Sequence, residues 1–270
     1  MIPDRPRVVL TGAGGGLGRA FAERLASRGA SLLLSDIDSA GLDETARLVK
    51  SGGGTPHTMT CDVAKASEVE TMHQRATELL GGVDLVINNA GVAVGGAVGE
   101  VPLADWDWIM GINLWGVIYG CHYFLPEMRA RGRGHILNVA SIAAFACAGE
   151  MGPYNVTKAA VVALSETLAG ELSGDLGVTV LCPFFFKTNI AKSARSCSPN
   201  VSTGQIEKVM GRTKVQASEV AERALVACNR GDLYCFPHTE AKVIAALKRS
   251  APETMLKRLA PRLAKSIPRN

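Results

Sequence analysis

The stretch RVVLTGAGGGLGRAF, Arg7 to Phe21, decides the fold. Arg7-Val8-Val9-Leu10 is a run of the length of a short buried strand, a glycine cluster follows, and Leu17, Ala20, Phe21 and Leu25 then recur at helical spacing. Within the turn, Thr11 to Gly18 sets Gly12, Gly16 and Gly18 in a G-x-x-x-G-x-G frame. Glycines there let the backbone bend tightly and approach a pyrophosphate, whose charge rests on the N-terminus of the next helix. A glycine cluster alone is a plain loop as readily as a nucleotide site. Between an apolar strand and an amphipathic helix, the nucleotide site is the better reading.

The same rhythm continues down the chain. Ser31–Leu34 is a second apolar run, and Ala40–Lys50 a helix ended by SGGGTP. His57–Cys61 reads as a third strand, and Ser67-x-x-Glu70 as a capping box opening the helix that carries Val69, Met72, Ala76 and Leu79. Val83–Ile87 is a fourth strand, Leu103–Arg131 a long helical region, His135–Val139 a fifth strand, Pro153–Leu172 a helix and Val178–Cys182 a sixth strand. Alternating strands and helices predict an α/β fold, a doubly wound parallel sheet with helices on both faces. After Thr188 the rhythm breaks. Residues 189–216, rich in Ser, Thr, Lys and Gly, read as a long loop with room for one short helix, in the manner of an active-site lid. A helix over Ser218–Asn229, a strand near Leu233–Phe236 and a basic amphipathic tail broken by Pro252 and Pro261 follow. The expected organisation is one domain over 1–240 that includes the lid, with 241–270 as its basic helical extension.

Composition narrows the class. Hydrophobic residues at 47% and charged residues at 20% exclude disorder as the main reading. Seven scattered cysteines, odd in number and never in a C-x-x-C pair, point to reduced thiols and a cytoplasmic setting. The start of the chain shows no apolar signal region, and no apolar run approaches the ~18 residues of a membrane span. From Ala241 to Asn270 there are eight Lys or Arg and one Glu, a local +7 that leaves the remainder near −3. Without an aromatic platform or helix-turn-helix pattern, that tail is no case for nucleic acid. Its apolar residues suit ordinary packing on the fold, packing on a partner subunit, capping the cleft or lying on an anionic membrane. The five histidines show no ligand spacing, so no metal is expected.

Two further features carry chemistry. Asp36 follows the second strand about ~20 residues on, where an acid hydrogen-bonds an adenosine ribose. Its carboxylate would accept from a free 2′-hydroxyl and repel a 2′-phosphate, position 37 is Ile, and no basic residue precedes Gly16 in the turn. NAD is therefore favoured over NADP, with Asp38 competing for the role. Tyr154 and Lys158 stand at i and i+4, on one helical face.

Together with Cys61-Asp62-Val63 after the third strand, Asn88-Asn89-Ala90-Gly91 after the fourth, Asn113 in the long helix and Ser141 after the fifth, these motifs resemble those of the short-chain dehydrogenases/reductases of the compact single-domain kind. The resemblance runs from Arg7 to about Phe236 and implies a Rossmann-type domain. It implies Tyr154 as acid/base, Lys158 as its modulator and ribose ligand, Ser141 as the donor that orients the substrate oxygen, and Asn113 as the proton-relay residue. It also implies cofactor contacts at Gly12, Gly14, Gly16, Leu17, Gly18, Asp36, Ile37, Asp62, Val63, Asn89, Ala90, Gly91, Tyr154, Lys158, Pro183 and Thr188. Asp62 would meet the adenine, Asn89 the ribose or the adjoining turn, and Thr188 the carboxamide. A tyrosine with pKa ~10 is a poor base near neutrality, and a lysine ammonium one turn away should lower it.

One departure stands out: Phe184 occupies the place of the family's usual glycine, where it is expected to narrow or redirect the nicotinamide pocket. The expected activity is NAD-dependent interconversion of a secondary alcohol and a ketone. The alternatives are an NADP-dependent carbonyl reductase and a non-catalytic NAD-binding sensor or scaffold. Apolar candidates for the substrate side are Val92, Val94, Ile142, Phe145, Ala148, Met151 and Phe185. No Arg or Lys lies between Ser141 and Pro153, which favours a neutral lipophilic substrate. Trp106, Trp108 and Trp115 suit core packing or a subunit interface, and the resemblance implies a homodimer or homotetramer.

Overall fold

The computed structural model describes residues 2–186, 190, 194–197 and 215–259. The strands are β1 (Arg7–Thr11), β2 (Ser31–Asp36), β3 (Thr55–Thr60), β4 (Leu85–Asn88), β5 (Val94–Gly95), β6 (Arg133–Val139), β7 (Asp175–Leu181), β8 (Arg195–Ser196) and β9 (Tyr234–Cys235). Seven of them form one sheet in the order β3-β2-β1-β4-β6-β7-β9, and β5 pairs with β8 apart from it. Every pairing in the large sheet is parallel. The chain runs outward from β1 to β3, then returns to the other side of β1 with β4. That reversal opens a crevice at the carboxyl ends of β1 and β4, where ligands of such sheets bind.

Helices cover both faces: α1 (Gly16–Ala26), α2 (Ser39–Ser51), α3 (Ala66–Leu80), α4 (Leu103–Met110), α5 (Gly116–Arg131), α6 (Ala143–Ala146), α7 (Gly152–Glu171), α8 (Ala217–Arg230) and α9 (Thr239–Ser250). Strand side chains alternate between the two faces. Val8, Leu10, Leu32 and Leu34 pack with Phe21 and Leu25 of α1 and Leu225 of α8, whereas Val9, Leu33 and Val86 pack with Met72 of α3, Phe124 of α5 and Val161 of α7. Because both faces are covered, the central strands are apolar throughout rather than alternating.

The structure corrects a local expectation. The capping box at Ser67 and Glu70 does not form. Lys65 is the cap residue and α3 begins at Ala66. The turn in which the Lys65 N–H reaches Asp62 O starts the helix early, so Glu68 is the acid in the first turn; it accepts from the Asp62 N–H at 2.7 Å. The long helical region does run over Leu103–Arg131 as expected, with one π-turn at Gly111–Trp115 joining α4 to α5. In the described part of the basic extension, Ala241, Ile244 and Met255 pack against Ile142 and Ala146 beside Phe184. Most of the expected lid, and Pro261, lie outside the described residues. Among the described residues no helix is long and apolar enough to cross a membrane.

Candidate active site

A cleft of about 600 Å³ lies at the carboxyl ends of the strands, and the residues of the glycine turn, the end of β2 and the start of α7 face into it. At one end, Gly12 and Gly16 adopt φ +65° and +52°, the left-handed region that glycine reaches without a Cβ clash. A Cβ at Gly12 would lie 2.8 Å from Ala90 Cα, and one at Gly14 would lie 2.9 Å from Asp36 Oδ2. Gly18 does not line the cleft; it lets α1 pass against the Gly12 carbonyl, which a Cβ would strike. The Asn89 side chain donates to Thr11 O at 2.9 Å and Gly12 O at 3.0 Å, and the Thr11 hydroxyl accepts from the N–H groups of Asn89 and Ala90. Of its two sequence readings, Asn89 here takes the adjoining turn.

Arg19 escaped the sequence reading. Its guanidinium donates to Gly14 O at 2.7 Å and Thr45 Oγ1 at 3.0 Å, tying the turn to α2. Gly15 also lines the cleft. The Asp36 carboxylate accepts from the N–H groups of Gly14 at 2.8 Å and Asp38 at 3.1 Å. Asp38 caps α2, accepting from Gly41 N, and both acids line the cleft. Leu17, exposed Ile37, Asp62, Val63, Ala90 and Gly91 complete this end. The positions that must be glycine and the acid beside them fit a dinucleotide.

At the other end, one helical face of α7 presents Tyr154 and Lys158 to the cleft. Lys158 is buried and its Nζ donates to Val139 O at 2.8 Å, standing 5.8 Å from the centre of the Tyr154 ring. The Ser141 hydroxyl accepts from the Ala143 N–H at 3.1 Å and lies near enough to Tyr154 to favour its ionised form. Burial pushes the Tyr154 phenol above its ordinary range, against the opposing pull of Ser141. Burial also pulls Lys158 down to about 8. The expected lowering of the tyrosine by the lysine is therefore reversed: the ammonium is spent on a backbone carbonyl, and desolvation dominates.

Asn113 sits in the π-turn, fully buried behind Gly91 and Val92 rather than in the cleft. Its Oδ1 accepts from Val92 N at 2.8 Å, and its Nδ2 donates to Val92 O at 2.9 Å and Thr157 Oγ1 at 3.3 Å. Pro183 lines the cleft, and Thr188 lies outside the described residues. Phe184 lines it too; its N–H donates to His238 Nδ1 at 3.2 Å, so the bulky residue at the end of β7 is braced by the C-terminal extension.

Val92, Ile142, Ala148, Met151 and Phe185 line the substrate side, joined by Ala93, Ile112 and Ala146. Val94 does not, because β5 turns it into a cluster with Val101 and Ile109, and Phe145 instead packs edge-on against Phe236. Trp106 packs on the Val94 cluster, and Trp108 lies under the Arg195 guanidinium at 3.8 Å. Half-exposed Trp115 stacks on Tyr119. No group of metal-binding side chains occurs among the described residues.

A phenol, a hydroxyl and an ammonium gathered beyond a dinucleotide cradle are the parts of a nicotinamide-dependent oxidoreductase. Comparison with known proteins agrees, because the family described as short chain dehydrogenase matches residues 6–198, and the chain belongs to that family. The "probable oxidoreductase EphD" of Mycobacterium tuberculosis is 32% identical over 92% of this chain, which spans 43% of EphD's length. The 1-deoxy-11-beta-hydroxypentalenate dehydrogenase of Streptomyces exfoliatus is 30% identical over 87% of this chain and 84% of its own. A short-chain dehydrogenase/reductase from Burkholderia phymatum in complex with NAD is 34% identical, with a TM-score of 0.88 over 94% of this chain and 96% of its own. One from Sphingobium yanoikuyae in complex with NADPH is 26% identical, with a TM-score of 0.75 over 93% of this chain and 95% of its own.

Proposed function

We propose that the protein interconverts a neutral, lipophilic secondary alcohol and its ketone with NAD. The observation that carries this reading is the convergence of Ser141, Tyr154 and Lys158 on the same cleft as the glycine turn. A bound nicotinamide dinucleotide supplies the hydride exchange. Ser141 orients the substrate oxygen, and Tyr154 gives its proton to a carbonyl or takes one from an alcohol. With the phenol pushed up by burial, Tyr154 holds its proton at neutral pH, the form that reduces a ketone, so alcohol oxidation should quicken as pH rises.

Asp36, Asp38 and Asp62 line the adenosine end; Lys65 Nζ stands 3.7 Å from Asp62 Oδ2, but no Lys or Arg is among the described lining residues at that end, which supports NAD over NADP. The NADPH-bound relative shows why the alternative is worth an assay. The substrate end is apolar, which supports a lipophilic substrate; the relative named for a hydroxypentalenate supports the alcohol function, although that named substrate also carries a carboxylate. The same reading takes the protein as cytoplasmic and as a homodimer or homotetramer, with 241–270 a part of the one domain.

The test is reduction of NAD, with NADP in parallel, by the purified protein over neutral secondary alcohols from small aliphatics to steroids. Tyr154→Phe should abolish turnover and keep NAD binding. Substantial residual turnover would remove Tyr154 as the acid/base, and NAD binding without turnover on any alcohol would favour the sensor.

A further inference from the structure

Between α6 and α7, and so between Ser141 and Tyr154 in the chain, runs a five-residue loop, Cys147 to Met151. Two of its non-glycine residues, Cys147 at φ +47° and Glu150 at φ +59°, adopt left-handed backbone. L side chains reach that region at a cost, because the Cβ crowds a carbonyl, and two such residues within four positions persist only under restraint from outside. The structure shows restraints of that kind. Asn155 Nδ2 donates to Ala148 O at 2.8 Å, the Gly96 N–H donates to Glu150 O at 2.7 Å, and Lys248 Nζ of α9 lies 3.8 Å from Cys147 Sγ. Ala148, so held, and Met151, which bridges to Gly96, form part of the substrate wall.

We propose that Asn155 is a positioning residue for the substrate end of the cleft: its amide holds the Cys147–Met151 loop in a conformation the loop would not keep alone, and that conformation selects the substrate. The proposal rests on the alcohol–ketone reading above. The Ala148 carbonyl demands a donor, so the amide must present Nδ2 to it, which leaves Oδ1 buried without a partner. A side chain kept for packing alone would do better as leucine, with no acceptor left unmet. What the amide adds is the donor to Ala148. That donor comes from the residue next to Tyr154, so the substrate wall and the acid/base are set by the same turn of α7.

The experiment compares wild type with Asn155→Leu, which is close in size and cannot donate. Hydrogen exchange of the 147–151 peptide should speed up at least tenfold in the variant, with NAD affinity within twofold. With NAD, the KM ratio of 2-decanol to 2-butanol should move at least tenfold, while the kcat ratio moves less than threefold. Lys248→Ala, which removes a restraint from the far side, should move the KM ratio in the same direction by less. Unchanged exchange in the loop, or a KM ratio within twofold of wild type, overturns the proposal. Should Asn155→Leu fail to fold, Asn155→Ala, which likewise removes the donor, is read for the same KM ratio and loop exchange and decides it. Wild type that turns over neither alcohol counts against the alcohol–ketone reading instead, and loop exchange then still decides whether Asn155 holds the wall.

Discussion

Replacing Asn113 with leucine should cost this protein more stability than its single polar side chain suggests. The asparagine makes three hydrogen bonds from a fully buried position, and two of them satisfy both backbone groups of Val92. Leucine removes all three and deprives the N–H and C=O of buried Val92 of their shared partner. A net hydrogen bond is worth about 1 kcal/mol, and a buried polar group left unpaired costs roughly 1–3 kcal/mol. Taking the overlap of those two effects into account, the loss should be about 3–5 kcal/mol. For a chain of this size each kcal/mol lowers Tm by roughly 2–4 °C, so Asn113→Leu should melt about 10 °C lower. The assay is thermal unfolding followed by circular dichroism, with NAD binding measured on the folded protein. A fall of less than about 3 °C would refute the reasoning, for it would mean that Val92 finds other partners or that these bonds contribute little.

Lysine 158 offers a pH signature. Its pKa is about 8 in the fold against 10.5 unfolded, so between those values the unfolded chain binds more protons and stability rises with pH; below 8 the burial penalty is present in full. Stability of wild type relative to Lys158→Met should therefore grow by about 2.5 kcal/mol from pH 7 to 10, read from denaturant midpoints, and a flat difference would show that Lys158 is not held in a low-dielectric setting. Asp36→Ala combined with Ile37→Arg should exchange NAD for NADP preference in kcat/KM by at least tenfold, and an unchanged preference would take Asp36 out of the cofactor assignment. Gly18→Ala should lose most NAD affinity, measured by titration calorimetry, because the new methyl group strikes the Gly12 carbonyl and forces α1 away from the turn; affinity within threefold of wild type would show that the turn gives way freely.

Much of this fold is legible because its signals are local. Val8 to Leu10 must be a buried strand, and the glycines after it must turn, whatever the rest of the chain does. The parallel sheet follows because each strand is separated from the next by a helix-length segment. Tyr154 and Lys158 were readable for the same reason, since helical periodicity alone puts them on one face. Where local signals compete, the reading slipped. Ser67 and Glu70 satisfy the capping pattern, yet the turn at Asp62–Lys65 starts the helix early and makes Glu68 the acid that reaches back.

By itself, then, the sequence determined the α/β architecture and the glycine turn, properties of short segments with a definite period or spacing, and through its family resemblance it named the residues proposed for hydride chemistry. Only the tertiary structure decided what those residues experience. It showed Asn113 committed to Val92, Arg19 holding the glycine turn, Phe184 braced by His238, and a loop between Ser141 and Tyr154 restrained from α7, Gly96 and α9. It also reversed the expected direction for Tyr154. The physical reason is common to all of these: a hydrogen-bond partner distant in sequence, and the exclusion of water around a charge, are set by the whole packed chain and leave no trace in the spacing of neighbouring residues.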